Sequence, residues 1–252
     1  MIPPKKLIIA VLILLFLIPG LSAAADQVAE ADSILKNPAL DLSGAFRALD
    51  LYTLNLAKAN PCEVPLLIRL TRTCFLIGEL TVASQRQKYY EKGQTYAEML
   101  LKEAPDRVEG HYWLALHLCG LADTGGAMQG QRLLPRIMEE LEKARTIDDA
   151  YEQAGSHRVL GRIYFEAPAW PFSVGDLQKS LQHLTRAVRL APENSTNHLY
   201  LAETLIKLQR QAQAHQELEQ VLKAPEHALL PRGLEEDRRE ARRLLKDADA
   251  LE

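Results

Sequence analysis

From Asp26 onward, apolar residues recur every third or fourth position, and the two-residue alternation of a half-buried strand is missing. The pattern predicts an all-α chain with helices near 27–36, 43–59, 64–83, 86–103, 107–122, 131–147, 150–165, 176–190, 194–208, 211–223 and 231–249. The breaks carry stop and start chemistry: Asn60-Pro61, Pro105-Asp106, Gly125-Gly126, Pro168 to Pro171, Pro192-Glu193-Asn194 and Pro225. Ahead of this region, Lys5 and Lys6 precede an unbroken apolar run, Leu7 to Ile18, and Ala23-Ala24-Ala25 follows. Those three parts make residues 1–25 a cleavable secretory signal and leave 26–252 as one helical domain, expected in the periplasm. The run stops at Pro19-Gly20, short of the roughly 20 residues that span a bilayer, so no transmembrane segment is expected after cleavage.

The helices repeat in pairs. The cleanest copy lies within 195–226: Leu201 and Ala202 form a large and small pair in its first helix, Ala214 and Leu218 answer from the second, and Pro225 closes it. Small residues are needed where two helices approach closely, and large ones fill the space beside them. A copy over 150–192 carries Leu160-Gly161-Arg162-Ile163-Tyr164, then Ser180, Leu184, Ala187 and Pro192, with Glu166 to Gly175 inserted. A third, over 107–149, uses Leu114, Ala115, Ile137, Leu141 and Ala144 around an insertion near 121–131. A weaker one ends at Ala104-Pro105 and uses Gly78 and Ala97. Pairs recurring at about 34 residues mark the tetratricopeptide (TPR) architecture, an α-solenoid. The charged segment 230–252, with Leu234, Ala241, Leu244, Leu245 and Ala248 as its apolar stripe, suits a capping helix.

Aligning the copies places His111, His157 and His198 in phase, each three residues before the large apolar site of a first helix. First helices line the concave face of such arrays, so the imidazoles either border one groove or pack and hydrogen-bond within their own pairs. Trp113 and Tyr200 fall close by on the same helices. The insertion Pro168-Ala169-Trp170-Pro171-Phe172 adds two aromatics, either as a clasp burying Trp170 between repeats or as a rim at a ligand opening, with Asp176 capping the next helix. These seven residues are the candidate ligand or partner contacts.

Formal charge is −3, and −5 after removal of residues 1–25 with their two lysines, without the concentrated basic footprint of a nucleic-acid binder. No catalytic, metal-binding or phosphate-cradling motif occurs, so no cofactor is expected. Repeats sit about 10 Å apart, too widely spaced for the three histidines to share a small metal ion. Cys62 and Cys74 are separated by too much helical rise to bridge, and Cys119 belongs to a later helix.

Over roughly residues 90–225 the chain resembles the T component of tripartite ATP-independent periplasmic (TRAP) transporters. The resemblance rests on Leu160 to Tyr164, the Pro168 to Asp176 loop, Asn197 to Glu203, His111 to Ala115 and Leu141 to Asp149. It implies a periplasmic TPR-like body that partners an extracytoplasmic solute-binding protein and holds a cleft for small hydrophobic ligands, with no catalytic motif. Many members of that family are lipoproteins, whereas no Cys lies near the cleavage region of this chain. The expected function is therefore a binding scaffold. A general adaptor in envelope assembly, or an enzyme built on the groove histidines, are the alternatives.

Overall fold

The computed structural model describes residues 19–37, 40–58, 63–225 and 231–249, so most of the expected signal segment, and Cys62, fall outside the described residues. The described residues form ten helices: α1 (Pro19–Leu35), α2 (Leu42–Lys58), α3 (Val64–Leu80), α4 (Ala83–Glu103), α5 (Val108–Ile147), α6 (Tyr151–Glu166), α7 (Leu177–Leu190), α8 (Ser195–Lys207), α9 (Gln211–Lys223) and α10 (Pro231–Asp249). Among them there is no strand, only an isolated bridge between Ala169 and Gly175.

Helix α5 is two helices in one. The chain breaks at Gly126, as the Gly125-Gly126 pair predicts, and its φ of 77° lies in the left-handed region open to glycine, while the residues on either side of it are helical. The Thr124 hydroxyl donates to the Gly120 carbonyl, and the Gln129 side-chain amide reaches back across the kink to the Leu121 carbonyl. Residues 108–125 and 127–147 thus act as a first and a second helix.

Consecutive helices pack against each other, and α3 also touches α5, α6 touches α8, and α8 touches α10. First helices therefore stand in one row and second helices in another, as an array of stacked pairs requires. The core runs through the pairs. Leu67, Leu70 and Ile77 anchor the N-terminal part, Leu114, Ile137, Leu141 and Leu160 the middle, and Leu201, Ala202, Ala214 and Leu218 the end.

The small positions mark the closest approaches. A Cβ on Gly161 would lie 2.5 Å from Leu184 Cγ, and one on Gly78 would lie 2.4 Å from the Tyr90 ring. Helix α7 starts at Asp176, whose carboxylate accepts from the backbone N–H groups of Gln178 and Lys179. Cys74 is buried and Cys119 half-buried, both as free thiols.

The two kinds of glycine should respond oppositely to a methyl group. Gly161→Ala forces α6 away from the fully buried Leu184 and should cost about 1–3 kcal/mol in urea denaturation. Gly130→Ala meets nothing closer than a carbonyl at 4.0 Å and should be neutral or stabilise by up to about 1 kcal/mol. Equal losses at both sites would remove the close-approach argument.

Candidate partner-binding face

The three in-phase histidines close their own helix pairs. His111 lies with Nδ1 2.6 Å from a Glu140 carboxylate oxygen on the second half of α5 and Nε2 2.9 Å from the Pro105 carbonyl in the preceding turn. His198 repeats this with Glu217 of α9 at 2.5 Å and the Pro192 carbonyl at 2.9 Å. At His157, the Asp149 carboxylate replaces the turn carbonyl at 2.5 Å, and His183 of α7 takes the glutamate position with its Nδ1 2.9 Å away. The second-helix partners lie 29, 26 and 19 residues downstream, and the two longer separations contain the two insertions.

Electrostatics differ among these clamps. Burial pulls the His198 imidazole down, but the hydrogen bonds to Glu217 and to the Pro192 carbonyl outweigh it, so protonation is favoured. His183 moves the other way, to about 4, through burial and then through repulsion by His157. Helix α10 puts Asp237 in the register of the histidines, four residues before the small Ala241. Its carboxylate accepts from Ser195 at 2.6 Å and Thr196 at 2.8 Å, while burial raises its pKa above the ordinary carboxylate value.

The row of first helices is joined by a second set of polar contacts. Glu152, Gln153 and Ala154 at the start of α6 have φ of 48°, 58° and 61°, a left-handed turn of three non-glycine residues. The Arg158 guanidinium holds it, donating to the carbonyls of Glu152 and Gln153 and to Asn197 Oδ1 of α8. It also reaches the Tyr112 hydroxyl of α5 at 3.5 Å. One turn on, Arg162 pairs with Glu203 of α8 and with Glu166, and lies over the rings of Phe165 and Tyr200. Arg72 of α3, half-buried, makes no ion pair with a carboxylate among the described residues, and its charge acts on the Tyr151 phenol.

The candidate residues therefore separate into three places. The histidines sit inside their pairs. Trp113 is buried beside Phe75 and Tyr112 and donates its indole N–H to the Tyr151 hydroxyl at 3.1 Å, while Tyr200 lies half-buried under Arg162. Trp170 and Phe172 stand exposed at the tip of the α6–α7 loop, so Trp170 is not a clasp between repeats. The base of that loop is closed by Gly175 N–H to the Pro168 carbonyl and Asp176 N–H to the Tyr164 carbonyl, which leaves its tip facing outward.

His117, Arg158, His183 and Asp237 were not among the expected site residues. His183 and Asp237 hold repeat positions that a second-helix alignment, or one extended to α10, would have exposed. His117 has no such signal. Fully buried, it places Nε2 3.0 Å from the Thr71 carbonyl, leaves Nδ1 without a partner among the described residues, and fits only because position 93 is glycine. No helix among the described residues is long and apolar enough to cross a membrane.

This architecture agrees with two family models. One, described as Regulator of microtubule dynamics protein 1-3, matches residues 22–172, more than half of the chain. The chain belongs to this family. The second, a tetratricopeptide repeat model, matches residues 172–228. Among solved structures, a thermophilic TPR protein, TTC0263 of Thermus thermophilus, covers 88% of this chain and 98% of its own at 18% identity, with a TM-score of 0.64, which is a likeness of fold. No curated protein matches the chain. The two matches meet at residue 172, in the α6–α7 loop.

Two measurements check the clamps. His198→Ala should cost about 2 kcal/mol, and a double-mutant cycle with Glu217→Gln should recover much of that loss as coupling; additive effects would mean the pair is not linked. Burial pushes the His117 imidazole from 6.5 down to about 4, so between those values the unfolded chain binds the extra proton and stability falls as pH drops. The loss from pH 7 to pH 5 should be about 2 kcal/mol and should shrink in His117→Leu. The His198 contribution has the opposite sign, being complete at low pH and lost as pH rises through its raised value.

Proposed function

We propose that the chain is a binding scaffold that docks a protein partner along the row of first helices. The observation that carries this reading is the polar row those helices share, with half-buried Arg72 of α3, Arg158 and Arg162 of α6 and Tyr200 of α8, and with the buried Tyr112 of α5 beneath Arg158. Guanidinium groups interleaved with aromatic rings are the side chains most enriched at protein-binding hot spots. In the finer reading the partner is an exported solute-binding or transport component, with a small hydrophobic ligand accommodated alongside it. That reading draws support from the apolar run at Leu7 to Ile18 and from the resemblance to the TRAP T component.

Family membership favours a second reading, in which the partner is cytoskeletal, as the description Regulator of microtubule dynamics suggests. The two readings place the protein in different compartments. A photo-crosslinking amino acid at Arg72 or Tyr200 of the full chain, expressed in its own cells, separates them by mass spectrometry of the adduct. An extracytoplasmic solute-binding protein is the expected capture, together with a mature N-terminus at Asp26. Capture of a tubulin-type subunit by a chain that retains Met1 would establish the second reading. Equal capture from exposed positions on the second helices, such as Glu98, would overturn docking along the first helices.

A further inference from the structure

Among the described residues Leu54, Met99 and Ile147 are exposed at other places in the array, but the four most exposed large apolar side chains fall together. Val82 (64% exposed), Met128 (85%), Trp170 (85%) and Phe172 (82%) all lie where a first helix turns into its second helix. First helices stand side by side in one row, so these turns gather along one edge of the array, and both insertions lie on it. A run of exposed large apolar groups along one edge is uncommon on a protein that meets only water.

The charges along this edge are arranged to leave cations free. Its carboxylates are already engaged: Glu79 with Arg86 and the Tyr90 hydroxyl, Asp123 with Arg86, Glu166 with Arg162, and Asp176 with the first backbone N–H groups of α7. Its remaining cations have no carboxylate among the described residues. Arg132 and Arg210 have no ion pair there, and Lys179 and Lys207 lie over the rings of Tyr164 and Phe165. The opposite edge mixes both signs, exposing Glu103, Asp106, Asp148 and Glu193 beside Lys102, Arg107 and Arg189 at the turns between pairs.

We propose that the edge formed by the first-to-second helix turns docks on an anionic phospholipid bilayer, with Trp170 and Phe172 entering at headgroup depth. Aromatic side chains on a short proline-stiffened loop flanked by uncompensated Lys and Arg are the chemistry of an interfacial contact. A nucleic acid would use the cations but leaves the Met and Val positions unexplained, and an apolar protein groove would leave the cations unexplained. Docking by this edge keeps the row of first helices open to a partner.

The test uses the full chain and vesicles of phosphatidylcholine with or without phosphatidylglycerol, some carrying brominated acyl chains as quenchers. The protein has two tryptophans, and Trp113 is buried, so a lipid-dependent change in emission reports on Trp170. We expect a blue shift and bromine quenching with anionic vesicles, at least tenfold weaker binding to phosphatidylcholine alone, and loss of quenching in Trp170→Ser. Arg132→Glu combined with Arg210→Glu should weaken anionic-vesicle binding at least tenfold while leaving the circular dichroism spectrum unchanged. Co-sedimentation without any change in Trp170 emission would assign binding to the N-terminal apolar run and overturn the proposal. So would Trp170 protection by a soluble protein in the absence of vesicle binding, or vesicle binding indifferent to lipid charge.

Discussion

A histidine near the start of a first helix fastens three pieces of chain at once in the pairs that begin at α5, α6 and α8: its own helix, the turn before it and the second helix that packs against it. Helices brought together at Gly161 against Leu184, or at Ala202, approach closely enough to leave terminal polar groups out of water, where each needs a partner. An imidazole with two nitrogens aimed in different directions answers two such needs from one position. The angle within each pair is then set by packing at the small residue and by the clamp at the end. The stacking of pairs, and the row of first helices, follow from that angle.

The row has a cost of its own. Three consecutive left-handed residues, Glu152 to Ala154, carry roughly 1–2 kcal/mol of backbone strain each. Arg158 offsets part of it by binding the carbonyls this turn exposes, and through Asn197 and Tyr112 it joins α6 to the first helices on either side. The same guanidinium thus stabilises an unfavourable local conformation and supplies part of the polar face. Arg162 and Glu203 extend the joint by one more turn.

Much of this was legible in the sequence because helical periodicity and proline or glycine punctuation are local. Nine of the ten helices begin and end within a few residues of the places marked by Pro105, Pro192 and their like, and α1 extends further toward the N-terminus than the pattern indicated. The break at Gly125-Gly126 falls where the sequence marks it, at a non-helical Gly126, although the turn there is shorter than the insertion 121–131 suggested. The register of the histidines was also visible, but not what they bind, since the separation to the partner varies with each insertion and in one copy the partner is another histidine. His117 could not be found from pattern, because it answers to Thr71 and Gly93, which lie on two other helices. For Trp170 the sequence leaves a buried clasp and an exposed rim both open, and the structure sets it in solvent at the tip of a loop closed at its base.

The clamps also explain where the repeat tolerates extra chain. From turn carbonyl to imidazole the path is six residues in both His111 and His198, and a residue added there would pull the carbonyl out of reach. From imidazole to the second helix the path runs through the first-to-second turn and varies between 19 and 29 residues without loss of the contact. Lengthening that turn costs little, since loop-closure entropy grows only with the logarithm of length. The two insertions therefore fall on one edge of the array, while in the pairs beginning at α5 and α8 the clamp opposes added length on the other. The edge that is free to vary is the one that carries the exposed aromatics and the unpaired cations, so new surface chemistry arises there while helix pairing stays fixed.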